Sequence, residues 1–262
     1  MRVAAGQAVS VSGDLAANVR TAARLARLAA SREVRVLVLP EAFLTGYDVA
    51  AFDGPLPDAA DLDGAWLDPL RAEAAAGVTV VVGTALQRGD ERRLSQVVVR
   101  PDGTAAAPYD KQFLDGVEHT WFTAGDHGTS IEVDGHELGL SICYDGCFPE
   151  HARDAARDGA VGYLASAAYF PGGGHRRDLY YATRALENGM YVVVSVLTGR
   201  CGSFDFIGGS AVYDPEGVPL TRLGEEEGLA IADVDAALVA QVRSRHTMLA
   251  DHRLDLGPRV RA

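Results

Sequence analysis

The sequence is short of cysteine, of clustered positive charge and of long apolar runs, and each shortage removes a class of protein. Three cysteines in 262 residues form no disulfide framework, so a reducing cytoplasm is the expected setting. The longest mostly apolar stretches, Val78–Val82 and Tyr191–Leu197, fall far below the roughly 18 residues that cross a bilayer. The opening run Met1-Arg2-Val3-Ala4-Ala5-Gly6-Gln7 has neither the apolar length nor the cleavage site of a signal peptide. Lys plus Arg is 24 against 36 Asp plus Glu, a net charge of −12. That charge repels nucleic acid and anionic membranes at long range, and no Lys/Arg cluster offers an exception, so neither partner is expected. Low-complexity segments, short repeats and linkers rich in Pro, Gly or Ser are also lacking. Residues 1–262 are therefore expected to form one domain.

What is present is ordinary globular material, 48% hydrophobic and 23% charged, enough to bury a large core without disulfides or metal. Arg2–Gln7 reads as a strand. Leu15, Val19, Ala22, Ala26 and Ala29 recur at helical spacing opposite Arg20, Arg24 and Arg27. Val34–Leu39 and Val78–Val82 read as buried strands, and the turn sequences Arg100–Gly103 and Asp214–Gly217 each close a hairpin. Leu138–Cys143 is a strand, Pro149 and Glu150 open a helix, and Gly159 ends it. Ala160–Ala167 is a strand, His175–Asn188 a helix stopped by Gly189, and Met190–Leu197 a strand. Leu229–Val234 and Asp235–His246 are a last strand and helix. Hairpins mixed with crossover helices imply layered α and β elements, with sheets sandwiched between helices.

Three positions suit chemistry. Cys143 ends an apolar strand just before a turn, where a nucleophile is presented and the next backbone N–H faces a developing oxyanion. The same position suits a small core hydrophobe, the commoner fate of a lone cysteine. Glu41 follows Val38-Leu39-Pro40 at the mouth of a strand, where open α/β sheets bind ligands, and would equally serve as a solvated loop acid. Lys111, between Tyr109 and Phe113, is a buried cation or a surface lysine. A Ser hydrolase lacks its motif, since the segment is Gly139-x-Ser141-x-Cys143. None of the seven histidines carries the local signature of a Cys–His pair. His136-Glu137-Leu138-Gly139-Leu140 lacks the second histidine of a zinc helix, and Cys143, Cys147 and Cys201 have no zinc or redox spacing. Gly172-Gly173-Gly174 is not followed by Lys-Ser/Thr and reads as a loop near the site. No metal and no cofactor are expected.

Taken in order, the segments Leu39-Pro40-Glu41-Ala42-Phe43 with Gly46-Tyr47, Tyr109-Asp110-Lys111-Gln112-Phe113-Leu114 with Glu118, and Ile142-Cys143-Tyr144-Asp145 with Phe148-Pro149-Glu150 and Arg153 resemble the nitrilase superfamily of carbon–nitrogen hydrolases. Arg184-Ala185-Leu186-Glu187-Asn188, and Gly208-Gly209-Ser210 ahead of Asp214-Pro215-Glu216-Gly217, extend the resemblance over nearly the whole chain. Phe113 departs from it, since many relatives have His there. The resemblance implies a four-layer α-β-β-α sandwich, a catalytic Glu41–Lys111–Cys143 triad, Glu118 as a second acid orienting Lys111, and a thioester intermediate. Tyr47, Tyr144, Tyr169 and Phe170 are candidate walls of the acyl pocket. Arg176 and Arg177 read as a solvated helix start or as a site for a substrate carboxylate.

Cys143-Tyr144-Asp145 is similar to the amidase and carbamoylase branches, because nitrile-cleaving relatives carry Cys-Trp-Glu. The expected reaction is hydrolysis of a small linear amide to a carboxylic acid and ammonia. The alternatives are an N-carbamoyl amine or amino-acid hydrolase, a nitrilase, and an inactive binding module of the same fold. By analogy with relatives, a homodimer or larger homo-oligomer is expected, with residues 248–262 docking on a partner subunit.

Overall fold

Largely apolar runs along the strands build the layers. In the computed structural model, which describes residues 1–261, one sheet has the order β14 (Gly228–Asp233), β1 (Arg2–Gln7), β2 (Val36–Val38), β3 (Thr79–Arg88), β4 (Glu91–Val99), β5 (Ala105–Asp110). The other has the order β13 (Pro219–Arg222), β12 (Ala211–Tyr213), β9 (Tyr191–Val196), β8 (Gly162–Ala167), β7 (His136–Ile142), β6 (Ser130–Val133). A separate ribbon pairs β10 (Thr198–Cys201) with β11 (Phe204–Ile207).

Successive strand residues point to opposite faces, and here both faces are apolar, as strands covered on both sides require. Val3 and Ala5 of β1 meet Leu140, Leu164 and Val193 between the sheets. Ala4 of β1, with Leu37 and Val80, instead packs under Val19, Ala22 and Leu25 of α1 (Leu15–Ala30) and Leu70 of α3 (Asp68–Ala74). On the other side, Val192 and Val194 of β9 pack under Ala152 of α4 (Pro149–Arg157) and Tyr181 and Ala185 of α5 (Gly174–Asn188). The two remaining helices are α2 (Val49–Asp53) and α6 (Ala236–Arg245), the latter adding Val239 to the inter-sheet core. The layers therefore run helix, sheet, sheet, helix. Among the described residues no helix is long and apolar enough to cross a membrane.

Short-range rules set the helix ends. The Asp14 side chain caps α1 by accepting from Ala17 N. Gly189 ends α5 at φ 54°, a left-handed conformation that favours glycine. Several strands are trimmed. Val34–Leu39 narrows to Val36–Val38, Ala160–Ala167 starts at Gly162, Met190–Leu197 narrows to Tyr191–Val196, Leu229–Val234 stops at Asp233, and β7 stops at Ile142. The last of these matters chemically, because Cys143 leaves the ladder at φ 46°. At the carboxyl end, Leu254, Leu256 and Val260 are exposed, and residue 262 of the segment expected to dock on a partner lies outside the described residues.

Strand direction decides where the site forms. β1, β2 and β3 are parallel, as are β7, β8 and β9. β5 runs antiparallel to β4, which runs antiparallel to β3, so β5 shares the direction of β2. The two sheets are tied at this end by Ser166 Oγ, which donates to Leu39 O at 2.7 Å.

Candidate active site

Glu41, Lys111 and Cys143 each follow the carboxyl end of a strand: β2, β5 and β7 respectively. Lys111 Nζ lies 2.7 Å from Glu41 Oε1 and 2.7 Å from each oxygen of Glu118. All three side chains are 1% exposed. Lys111 is the single lysine of the chain, every other member of the 24 Lys plus Arg being arginine. A compact ammonium offers three donors at one point, and three carboxylate oxygens surround it. Glu118 is itself held. Its Oε1 accepts the Tyr47 hydroxyl and its Oε2 accepts Asp115 N, each at 2.7 Å. Glu41 Oε2, by contrast, is buried without a hydrogen-bond partner. An orphaned carboxylate oxygen beside a buried cation is a group held ready for a proton.

The backbone at both ends of this constellation is strained. Ala42 and Cys143 both adopt φ 46°, a left-handed region that non-glycine residues enter at a cost of about 1–3 kcal/mol. Gly83 of β3 makes the first possible. A Cβ there would lie 2.3 Å from Pro40 O and 2.6 Å from Glu41 Cα. At the second, the Cys143 carbonyl accepts the Tyr181 hydroxyl at 3.2 Å, and the thiol lies 3.3 Å from Ala168 O. Residues 143–147 then form a short 3-10 turn, whose first N–H groups have no acceptor within it. Tyr144 N–H is one of them.

Charge and burial set the proton positions. Burial raises the Glu41 carboxyl to about 7; the Lys111 charge opposes that rise and the Glu118 charge adds to it. For Lys111, burial disfavours the ammonium, but the charges of Glu41 and Glu118 outweigh it and the pKa ends above its ordinary value. The Cys143 thiol is pushed well up, by burial first and then by the Glu41 charge, with Lys111 opposing. The resting state is therefore a thiol next to a carboxyl group that exchanges its proton near neutrality.

A cavity of about 170 Å³ opens on the sulfur, lined by Cys143, Tyr144, Cys147, Tyr169, Phe170 and Arg176 among others. Three of the four expected wall residues, Tyr144, Tyr169 and Phe170, stand there. Tyr47 does not line it; its hydroxyl is committed to Glu118 and its ring packs edge-on against Phe52 and Phe170. Cys147, Arg176 and Tyr180 were not placed in the wall by sequence. The i, i+4 spacing of Cys147 from Cys143 and of Tyr180 from Arg176 is the signal that would have found two of them. The pair Arg176-Arg177 splits. Arg176 is exposed at the cavity, whereas Arg177 is not part of a solvated helix start. It is buried, with its guanidinium donating to Asp178 and Gly208 O. A larger cavity of about 430 Å³, lined by Phe113, Glu150, His151 and Asp154 among others, contains none of Glu41, Lys111 and Cys143. Among the described residues no group of three or more His, Cys, Asp or Glu is placed to hold a metal ion.

Comparison with known proteins adds an independent line. The sequence profile of the carbon–nitrogen hydrolase family matches residues 2–244. The chain is 34% identical over 236 residues to the 2-oxoglutaramate amidase of Bacillus subtilis (strain 168), covering 86% of this chain and 88% of that one. It is 33% identical over 261 residues to the deaminated glutathione amidase of Escherichia coli O157:H7, covering 97% of each. Among solved structures, an amidase from Nesterenkonia sp. AN1 superimposes with a TM-score of 0.85 at 29% identity, over 97% of this chain and 94% of that one. It was solved as a double mutant in complex with acrylamide. Another form of the same amidase shows the acetamide moiety of fluoroacetamide added covalently at its active-site cysteine.

Proposed function

Because the chain belongs to the carbon–nitrogen hydrolase family, we propose that it hydrolyses small linear primary amides to a carboxylic acid and ammonia through a thioester on Cys143. The observation that carries this reading is the buried Lys111 clamped between Glu41 and Glu118, with the partnerless Glu41 oxygen beside the thiol. Glu41 takes the Cys143 proton as the sulfur attacks the carbonyl carbon. The oxyanion is met by the Tyr144 N–H and the Lys111 ammonium. Once Glu41 is protonated its hold on Lys111 weakens, which frees a donor at the moment the oxyanion forms. The C–N bond then breaks, Glu41 returns the proton to nitrogen, and ammonia leaves. Water attacks the thioester, gives its proton to Glu41, and the acid departs as the thiol is restored. Acid–base help of this kind is worth about 10²–10⁴-fold, and an oxyanion donor about 10²–10³-fold.

The base must be unprotonated to start. A Glu41 carboxyl raised to about 7 predicts that kcat/KM on a good amide rises with pH up to a plateau, with its acid limb centred near pH 7. A pH–rate profile checks this; a limb at the ordinary glutamate value of 4.5 would show that burial does not shift the base.

Two features narrow the substrate. A cavity of about 170 Å³ holds about six waters' worth of volume at roughly 30 Å³ each, so the acyl group is small. Arg176, at the cavity and without the acid partner that Arg177 has, favours an amide that carries a carboxylate remote from the reacting carbonyl. The amide named in one relative, 2-oxoglutaramate, agrees with such a substrate. Ammonia release from aliphatic amides, ω-amides of dicarboxylic acids, N-carbamoyl compounds and nitriles tests the choice. The expected result is turnover of amides, best with the ω-amides. Arg176→Ala should raise KM for those about 10–100-fold, the worth of one charge-assisted hydrogen bond, and leave uncharged amides unchanged. Turnover confined to carbamoyl compounds or nitriles, or an Arg176→Ala effect equal on all amides, would overturn it. Assembly as a homo-oligomer belongs to the same reading, with a second copy covering the exposed Leu254, Leu256 and Val260.

A further inference from the structure

The turn that carries Cys143 has an anchor outside the triad. Asp145, fully buried, accepts from Ile142 N through Oδ2 and from Phe113 N through Oδ1, each at 2.9 Å. One carboxylate thus ties the residue before the nucleophile to the segment that follows Lys111. Asp145 Oδ2 also accepts the Tyr109 hydroxyl at 2.6 Å. Behind Tyr109 stands His151 of α4, whose Nε2 is 2.7 Å from Tyr109 Oη and whose Nδ1 is 2.7 Å from Tyr163 Oη.

The hydrogens follow by elimination. Tyr109 has one hydroxyl hydrogen, and the Asp145 carboxylate takes it. The Tyr109 oxygen must then accept from His151, which places a hydrogen on Nε2. Burial depresses the imidazole pKa, against the charges of Asp145 and Asp154, so the ring is neutral and Nδ1 accepts the Tyr163 hydroxyl. The relay runs one way, Tyr163 to His151 to Tyr109 to Asp145, with both ring nitrogens satisfied. No step of the hydrolysis uses it. A buried polar chain that is fully satisfied rigidifies what it touches, and what it touches is the strained backbone at Cys143.

We propose that His151 is a positioning residue: through Tyr109 and Asp145 it holds the Ile142–Tyr144 backbone so that the Cys143 sulfur and the Tyr144 N–H face the substrate carbonyl. The inference rests on Cys143 being the nucleophile of an amidase. Misplacing a reacting group by about 1 Å lowers rate by about a hundredfold, and the loss falls on the transition state rather than on binding.

The test uses His151→Phe, which keeps an aromatic ring and removes both hydrogen bonds, and His151→Gln, which keeps a donor for Tyr109. His151→Phe is expected to lower kcat about 10–100-fold with KM within about twofold, and His151→Gln to recover most of that loss. Equal kcat in the two variants, a change confined to KM, or a loss that tracks the folded fraction by circular dichroism would overturn the proposal. If His151→Phe does not fold, Tyr163→Phe decides: a fall in kcat of about 3–10-fold at constant KM supports the relay, and wild-type kcat overturns it. An active wild type with indifferent variants overturns the relay alone, whereas a wild type inactive on every amide overturns the hydrolase reading beneath it.

Discussion

Replacing Cys143 with alanine is expected to lower kcat on the best amide by about 10³–10⁶-fold, the range seen when a covalent nucleophile is removed and only binding and oxyanion contacts remain. No neighbouring group is placed to substitute. Ser141 lies on β7, fully buried, with a hydroxyl that has no hydrogen-bond partner. Cys147 lines the same cavity but stands at the far end of the turn from Cys143, and burial raises its pKa. Fold should survive the change, because alanine fits where the thiol sits and the Tyr181 and Asp145 contacts are made by backbone groups of the turn. Ammonia release by wild type and variant, with circular dichroism as the control for folding, measures the effect. Adding hydroxylamine to the wild-type reaction should divert product to a hydroxamate, the mark of a thioester. Retention of more than about a tenth of wild-type activity would transfer the nucleophile's role elsewhere, with Cys147→Ala as the immediate next variant.

Lys111→Met should damage both stability and activity. Removing one partner of a buried ion pair leaves the other charges uncompensated and typically costs about 3–5 kcal/mol. Here two buried carboxylates, Glu41 and Glu118, lose their shared cation. For a chain of this size each kcal/mol moves Tm by about 2–4 °C, so a fall of roughly 6–20 °C is expected on the same principle. Loss of the oxyanion donor adds a fall in kcat of about 10²–10³-fold. The deficit should shrink on acidification, and the sign follows from linkage. Glu41 has a folded-state value of about 7 against an ordinary 4.5, so the folded state binds the extra proton and loses stability as pH rises between those values. Without Lys111 the carboxyl rises further, and the loss continues to higher pH. Thermal melts of both proteins at mildly acid and mildly alkaline pH check this. A variant that melts with the wild type at every pH would show that the clamp contributes nothing to the fold.

Most of the architecture was readable along the chain, because it rests on local rules. The largely apolar run Met190–Leu197, the helical spacing from Leu15 to Ala29 and the stop at Gly189 each act within a few residues. The helical spacing from Leu15 to Ala29 and the stop at Gly189 appear where expected, and the Asp14 cap adds a local signal of the same kind. The strand ends were less legible. Val34–Leu39 is a largely apolar run, yet the regular strand is only Val36–Val38, with single backbone hydrogen bonds donated by Arg35 and Leu39 beyond it. Glu41, Lys111 and Cys143 were singled out by position, and only the family resemblance grouped them with Glu118. A simpler signal went unread: a single lysine among 24 basic residues, at a position where a guanidinium could not offer three donors to one point.

The walls of the site were another matter. Tyr47 has the composition of a pocket residue but is occupied by Glu118, while Arg176 and Arg177 are adjacent in sequence and opposite in fate. By itself the sequence determined the order of strands and helices and brought forward the residues proposed for amide chemistry, because these depend on residue type and short-range spacing. Only the tertiary structure decided which charges are buried together, which oxygen of Glu41 is left without a partner, and that His151 stands behind the turn at Cys143. Burial and hydrogen-bond completion are properties of atoms that meet across long sequence separations, 70 residues between Glu41 and Lys111 and 42 between Tyr109 and His151. No local pattern specifies which of the possible partners a folded chain brings within 3 Å.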